Sequence, residues 1–355
     1  MTGEAGSVRP VRQEAEPATE DVTEVAPGIL RMQLPISMPG LGHVNTYALL
    51  DDKGVALVDP GVPGEESWKA LLSRLKTAGI PLKRVHTAVV THSHFDHFGG
   101  AAQLADEAGA GVLAHASFTT WGDDIECTDP NHDHGDPALR TKREWTGKTP
   151  WGTESHGPTK EQLEEFRMKR KEGRPMFEAP HVTKRVHDGD VIELAGREWF
   201  VKHTPGHTVD HVCFHDPTEG VLLSGDHVLP TITPHIGGDT TGDPLEDFFA
   251  SLESIARTEN VNTVLPAHGH PFEDLPGRVK SIHEHHMERL ETLRGISTEF
   301  EGWASVVAFS EKLFRERSWG PMAESETWAH LEHLRLTDRA EQRLGDGGLL
   351  EYLVS

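Results

Sequence analysis

Cysteine is nearly absent from this 355-residue chain: Cys127 and Cys213 stand alone and far apart, so neither a disulfide framework nor a multi-cysteine zinc knuckle can be built. A reducing cytosol is the expected setting. Positive charge is also short, with 34 Lys and Arg against 57 Asp and Glu and a formal net charge of −23. Such a surface repels nucleic acid and anionic membrane. That leaves a small-molecule substrate as the expected partner and homo-oligomerisation open. No apolar run approaches the ~20 residues needed to span a bilayer. Residues 1–21, rich in Glu, Pro, Ala and Thr, lack the charged-then-apolar pattern of a signal peptide. They read as a disordered acidic leader ahead of a soluble, cytoplasmic protein.

Histidine, by contrast, is abundant at 24 residues, and its special uses are metal binding and proton transfer near neutral pH. The apolar patterning places these histidines in an α/β body. Val44–Leu50 and Val55–Asp59 read as a hairpin across the Asp51-Asp52-Lys53-Gly54 turn. Trp68, Leu71, Leu72 and Leu75 fall at helical spacing within Glu65–Ala78, before Gly79. Val85–Thr91 is a buried strand, followed by a short helix over Gly99–Ala108 and a strand over Gly111–Ala114. Periodicity breaks down over about 117–180, an insertion or lid with one helical stretch at Lys160–Glu172. Strands resume at Val191–Leu194, Trp199–His203, His211–His215 and Val221–Ser224. A helix capped by Asp243-Pro244 runs to Thr258, then a strand Val261–Leu265 and a long polar helix Gly277–Leu293. The remainder reads as helices and a hairpin with a Gly-rich turn at Arg343–Leu350, a winged-helix-like tail.

His92, Ser93, His94, Phe95, Asp96 and His97 follow directly on the buried strand. A rigid element thus delivers four potential ligands into one small loop. An isolated His-x-His is ordinarily a solvated loop; four ligand types in six residues after a strand is not. His92 and His94 can bend toward one ion while Asp96 and His97 face a second, about 3.5–4 Å away in two-metal sites. Three further residues leave predicted strands: His207 in Thr204-Pro205-Gly206-His207, Asp226 in Ser224-Gly225-Asp226-His227, and His268 in Pro266-Ala267-His268-Gly269. Each alone is equally a turn residue.

Together, in this order and spacing, these motifs resemble the metallo-β-lactamase superfamily, specifically its glyoxalase II-like branch, over roughly Val25 to His286. The resemblance implies an αββα sandwich of two mixed sheets over 22–276, with a helical, winged-helix-like domain over 277–355. It implies that His92, His94 and His207 hold one divalent ion, that Asp96, His97 and His268 hold a second, and that Asp226 bridges both. Zinc is the first candidate, with iron and manganese as alternatives. It gives Asp96 a catalytic role, accepting a hydrogen bond from a metal-bound hydroxide that attacks the substrate. Asp59, in Val58-Asp59-Pro60-Gly61, matches an acid that orients the ligand loop, and equally a turn residue.

Asp226 stands where the carbapenem-hydrolysing relatives have Cys, which disfavours antibiotic hydrolysis. No Tyr follows it as in acyl-homoserine lactonases, since Tyr47 and Tyr352 are the only tyrosines. Because the Asp-bridged ligand set resembles that of thioester-cleaving glyoxalase II-like proteins, the resemblance implies a small ester-like substrate, thioester first. A ribonuclease and a mononuclear-iron persulfide dioxygenase remain as alternatives. His132 and His134 imitate a further ligand pair but read as an acidic surface loop. His283, His285 and His286 read as a solvated helix face. His211, His227 and His235 either assist leaving-group protonation or hydrogen-bond the ligands. Trp121, Trp145 and Trp151 either roof an acyl pocket or pack the insertion's own core.

Overall fold

The computed structural model of the chain describes residues 12–120, 148–154, 168, 179–237 and 242–355. Its strands begin with β1 (Val22–Ala26), which pairs with β2 (Ile29–Met38). β2 pairs with β3 (Leu41–Leu50) and β3 with β4 (Val55–Val58), all antiparallel. The β3–β4 hairpin is the one the sequence predicts. Its turn closes because the Asp51 carboxylate accepts from the Lys53 and Gly54 amides at 2.7 and 2.6 Å, an Asx-type turn. The β1–β2 hairpin escapes the sequence reading because β1 buries little and Pro35 interrupts β2.

β5 (Val85–Val89), β6 (Gly111–His115) and β7 (Lys184–Val186) add in parallel, so the seven-stranded sheet runs β1 to β7 in chain order. β8 (Val191–Leu194), β9 (Arg197–His203), β10 (Val212–Asp216), β11 (Val221–Gly225) and β12 (Thr263–Pro266) form a second sheet ordered β12-β11-β10-β9-β8. Only its β11–β12 pair is parallel. Ile29, Tyr47, Leu49, Val58 and Val89 of the first sheet meet Trp199, Val201, Phe214, Leu223 and Leu265 of the second in one buried layer. Burying each such side chain is worth about 1.5–3 kcal/mol, which fixes the two sheets face to face.

Helices cover both outer faces. Glu65–Thr77 buries Trp68, Leu71 and Leu75 on the first sheet, joined by Ala101–Ala108 through Leu104. On the second sheet Pro244–Ala256 starts with Pro at its first turn, and the Asp243 carboxylate accepts from the Glu246 amide at 3.0 Å. Leu275–Ser297 lies on the same side. This is the αββα sandwich the sequence led us to expect.

The tail adds β13 (Ala304–Ser305), helices Val306–Leu313 and Pro321–Leu336, β14 (Ala340–Leu344) and β15 (Leu350–Val354). Its strands order β13-β15-β14 against the helices, a winged-helix-like arrangement. It shares its core with the sandwich: Leu290, Leu293, Leu331, Leu334 and Tyr352 join Phe248, Leu252 and Ile255 in one cluster. A boundary at 277 therefore falls inside a helix.

Two expectations change. Residues 12–21 belong to the body rather than to a disordered leader. Gln13–Ala15 forms a 3-10 turn with Glu14 fully buried, its carboxylate accepting from the Thr231 and Ile232 amides at 2.8 and 3.1 Å and from the Thr231 hydroxyl. Those donors offset the cost of removing the carboxylate from water. Trp151 packs neither a pocket roof nor a core of the insertion's own. It joins the C-terminal cluster, faces Trp328 at 5.8 Å and donates to Glu324 Oε2 at 2.9 Å. His132, His134, Trp121, Trp145, Cys127 and, apart from Met168, the predicted helix Lys160–Glu172 lie outside the described residues. No helix among the described residues is long and apolar enough to cross a membrane.

Candidate metal centre

The seven ligand candidates leave strands of both sheets at one edge of the sandwich. β4 leads directly into Asp59, whose φ of 52° lies in the left-handed region, a conformation Asp tolerates and most residues avoid. β5 runs into Thr91–His97, β9 into Thr204–His207, β11 into Asp226 and β12 into His268. The Thr204-Pro205-Gly206-His207 loop lies directly on the helix Pro244–Ala256. Gly206 has φ of 128°, and a Cβ there would sit 2.5 Å from Phe248 Cα, so only Gly fits.

Two groups result. His94 Nδ1 lies 3.0 Å from both His92 Nε2 and His207 Nε2, and Asp226 Oδ2 lies 3.6 Å from His207 Nε2. Across the site, Asp96 Oδ2 is 3.5 Å from His97 Nε2 and from His268 Nε2. Asp226 stands between the groups, with Oδ2 at 3.7 Å from His97 Nε2 and Oδ1 at 3.4 Å from His268 Nε2. Within each group, His92, His94, His207 and Asp226 or Asp96, His97 and His268, the ligand atoms all lie within 4.8 Å of one another.

The outer nitrogens dictate which lone pairs face inward. His97 Nδ1 donates to Asp59 Oδ2 at 2.9 Å, His268 Nδ1 to the His43 carbonyl at 2.7 Å, and His207 Nδ1 to the His235 carbonyl at 2.6 Å. In each neutral ring the Nε2 is then an acceptor. It faces carboxylate oxygens that are acceptors too, an arrangement that repels unless a proton or a metal ion lies between. His97 Nε2, His268 Nε2 and Asp226 Oδ1 are buried without any hydrogen-bond donor, as the donor set of a cation site requires.

The protonation equilibria state the same demand. Burial depresses the His268 pKa, but the Asp226 and Asp96 carboxylates outweigh it and raise it to about 10. For His97 burial is likewise outweighed by Asp96, Asp226 and Asp59, which hold it well above its usual value. Burial, then His207, lowers His94 to about 3. Burial would raise both carboxylates, yet the histidines hold Asp96 and Asp226 well below the carboxylate range. The pocket therefore holds two anions that only protons or cations can balance.

Asp59 proves to be both a turn residue and an orienting acid. Its carboxylate accepts from the Thr91 amide at 2.9 Å and hydroxyl at 2.8 Å as well as from His97, tying β4 to the ligand loop. His211 accepts from the Asp226 amide at 3.0 Å and pairs with Thr204 Oγ1 at 2.7 Å, so both its nitrogens are committed to holding the site together. His227 is buried edge-on to Phe248. Sequence reasoning misses His43 and Thr91, whose only signal is adjacency to strand ends. The solvated-face reading of His286 is a correction: it is fully buried against His330, and with Glu326 these two form a third candidate group.

The profile described as the metallo-beta-lactamase superfamily matches residues 39–295. The lactamase-like protein adaB of Aspergillus niger is 26% identical over 282 residues, covering 77% of this chain and 64% of that protein. The atrochrysone carboxyl ACP thioesterase dmxR1 of a Cryptosporiopsis species is 24% identical over 271 residues, covering 76% of this chain and 62% of that protein. The chain thus spans less than two thirds of the length of these two relatives. A metallo-beta-lactamase family protein from Thermus thermophilus has a similar solved structure, with a TM-score of 0.71 at 27% identity, covering 94% of this chain and 100% of that one.

Proposed function

The chain belongs to the metallo-beta-lactamase superfamily, and on that premise we propose that it is a dinuclear metal-dependent hydrolase of a small ester-like substrate, a thioester first. The observation that carries the reading is the set of inward lone pairs on His97, His268 and Asp226, buried with no donor to meet them. His92, His94 and His207 would hold one divalent ion, Asp96, His97 and His268 the other, and Asp226 both. Divalent ions bound there supply an acidified water and a Lewis acid for an acyl carbonyl.

The chain's own residues supply the rest. Asp96, ionised and buried, is an acceptor whose hydrogen bond would orient the attacking water or hydroxide. Asp59 holds His97 in the tautomer that presents Nε2, and the His43 and His235 carbonyls do the same for His268 and His207. His211 fixes the backbone of Asp226. Because these orienting bonds exist before substrate arrives, little reorganisation accompanies reaction. The three-histidine group and the His-rich donor set favour zinc.

The thioester is supported by the relative named as an acyl-carrier-protein thioesterase and by Asp at position 226. A nuclease finds less support: in the tail Arg335 pairs with Glu332 at 2.8 Å and Arg343 with Glu351 at 2.7 Å, which leaves little free positive charge for phosphates. The test is a panel of acyl-thioesters, lactones and RNA on protein of known metal content. Thioester turnover with two zinc ions per chain is expected. One iron per chain with oxygen uptake on a persulfide, or RNA cleavage lost in His92→Ala, would overturn it.

A further inference from the structure

The three histidines whose Nδ1 donates to a carbonyl or carboxylate are not held equally. His97 leans on Asp59 directly after β4, and His268 on the His43 carbonyl within β3. Their partners are fixed by the sheet. His207 leans on the His235 carbonyl at 2.6 Å, in a stretch between β11 and the helix Pro244–Ala256 where no strand or helix occurs among the described residues. A backbone segment without a ladder must find its hydrogen bonds elsewhere, and here it finds them on charged side chains outside the two sheets.

Glu14, from the 3-10 turn ahead of β1, accepts from the Thr231 and Ile232 amides and the Thr231 hydroxyl. Arg278, from the helix Leu275–Ser297, donates through Nε to the Leu229 carbonyl at 2.5 Å and through a second nitrogen to the Ile232 carbonyl. Glu326, from the helix Pro321–Leu336, places Oε2 3.6 Å from His235 Nδ1. Glu14 is fully buried and none of its contacts serves its own turn. The stretch 229–235 is thus gripped from the N-terminal side by one residue and from the C-terminal helices by two.

From this we infer that Glu14 and Arg278 are positioning residues for one half of the metal centre. They fix the His235 carbonyl, which sets the tautomer and direction of His207 and hence the affinity of the His92, His94, His207 position. The Asp96, His97, His268 position does not depend on them. The inference rests on the two-metal reading of the site, and it makes the two positions unequal: the partners of His97 and His268 stand on or beside sheet strands, whereas the partner of His207 lies in a stretch outside them.

The test is calorimetric titration of the metal-stripped full chain with Zn²⁺, the two binding events being assigned by which one disappears in His94→Ala and which in His268→Ala. Glu14→Ala is expected to weaken the first event by about 10- to 100-fold, the usual effect of losing an orienting partner, while the second stays within about twofold. Glu14→Gln should restore most of the loss, because both backbone amides donate to Oε1 and an amide oxygen can replace it. If Glu14→Ala does not fold, Arg278→Met carries the same expectation. Equal weakening of both events, which a merely structural role would give, overturns the inference, as does no change in either. A wild-type chain that takes up no Zn²⁺ overturns the reading of the site itself.

Discussion

Two buried groups, one at the sandwich edge and one between the helices Leu275–Ser297 and Pro321–Leu336, both combine histidines with carboxylates and differ in electrostatics. At the edge, His94 sits 3.0 Å from each of its two partners with ring centroids only 4.7 and 4.6 Å apart and planes at 75° and 83°, so the nitrogens converge on a shared point. In the tail, His286 Nδ1 and His330 Nε2 are also 3.0 Å apart, but the centroids are 5.2 Å apart and the planes at 30°. Those rings meet head-on, as one N–H donating to one lone pair. His330 Nδ1 donates to the Glu326 carbonyl at 2.7 Å, which leaves its Nε2 to accept from His286. The nearby carboxylate differs as well. Glu326 is paired with Arg289, whereas Asp96 and Asp226 have no Lys or Arg partner among the described ion pairs. Burial therefore drives His286 down to about 2 and His330 well below its usual value, while His268 rises to about 10. Counting histidines does not identify a cation site; the direction of the lone pairs and the unbalanced negative charge do.

Removing the unbalanced charge should have the largest effect. Asp226→Asn is expected to lower metal content and to reduce turnover by several kcal/mol of transition-state stabilisation, on the order of 10³-fold; steady-state kinetics beside metal analysis will check this. Asp59→Asn keeps a residue that tolerates the left-handed backbone but drops the charge facing His97. Weaker metal binding by about 10- to 100-fold is expected, with the fold intact by circular dichroism. The tail group should behave in the opposite way. His330→Ala leaves a buried donor on His286 without an acceptor and should cost about 1–3 kcal/mol of stability in denaturant melts, with metal content unchanged.

The smallest effect is on pH dependence. The tail histidines have folded-state pKa values depressed below the unfolded 6.5, so the unfolded chain binds protons that the folded one does not. Their contribution is fully present above about 6.5 and is lost as pH falls below it. In metal-free protein, His286→Asn should therefore show a shallower fall in melting temperature between about pH 7.5 and 5.5 than the wild type, Asn keeping a donor for His330. An unchanged slope would show that the pair is not buried and neutral.

The sequence made the edge site legible because a buried strand running into His92–His97 is a local pattern, and because Pro and Gly mark the loops carrying His207 and His268. It hid the tail pair, although a signal was present: Val279, Ile282, His286, Leu290 and Leu293 are all buried at spacings of three and four, so His286 occupies an apolar stripe that its exposed neighbours disguise. It also hid Glu14, one acid among several in a segment without periodicity, whose role exists only through contacts 217 and 218 residues away. Long-range pairing of that kind leaves no trace in local spacing, which is why most strands, the ligand candidates and the nearby Asp59 were readable and a distant support such as Glu14 was not.

If the converging group holds cations and the head-on pair holds a proton, the two must respond differently to zinc. Metal analysis of chelator-stripped, zinc-reloaded wild type beside His286→Asn tests this most directly. Two zinc ions per chain in both proteins is the predicted result. No zinc in the wild type, or a third ion that His286→Asn removes, would contradict it.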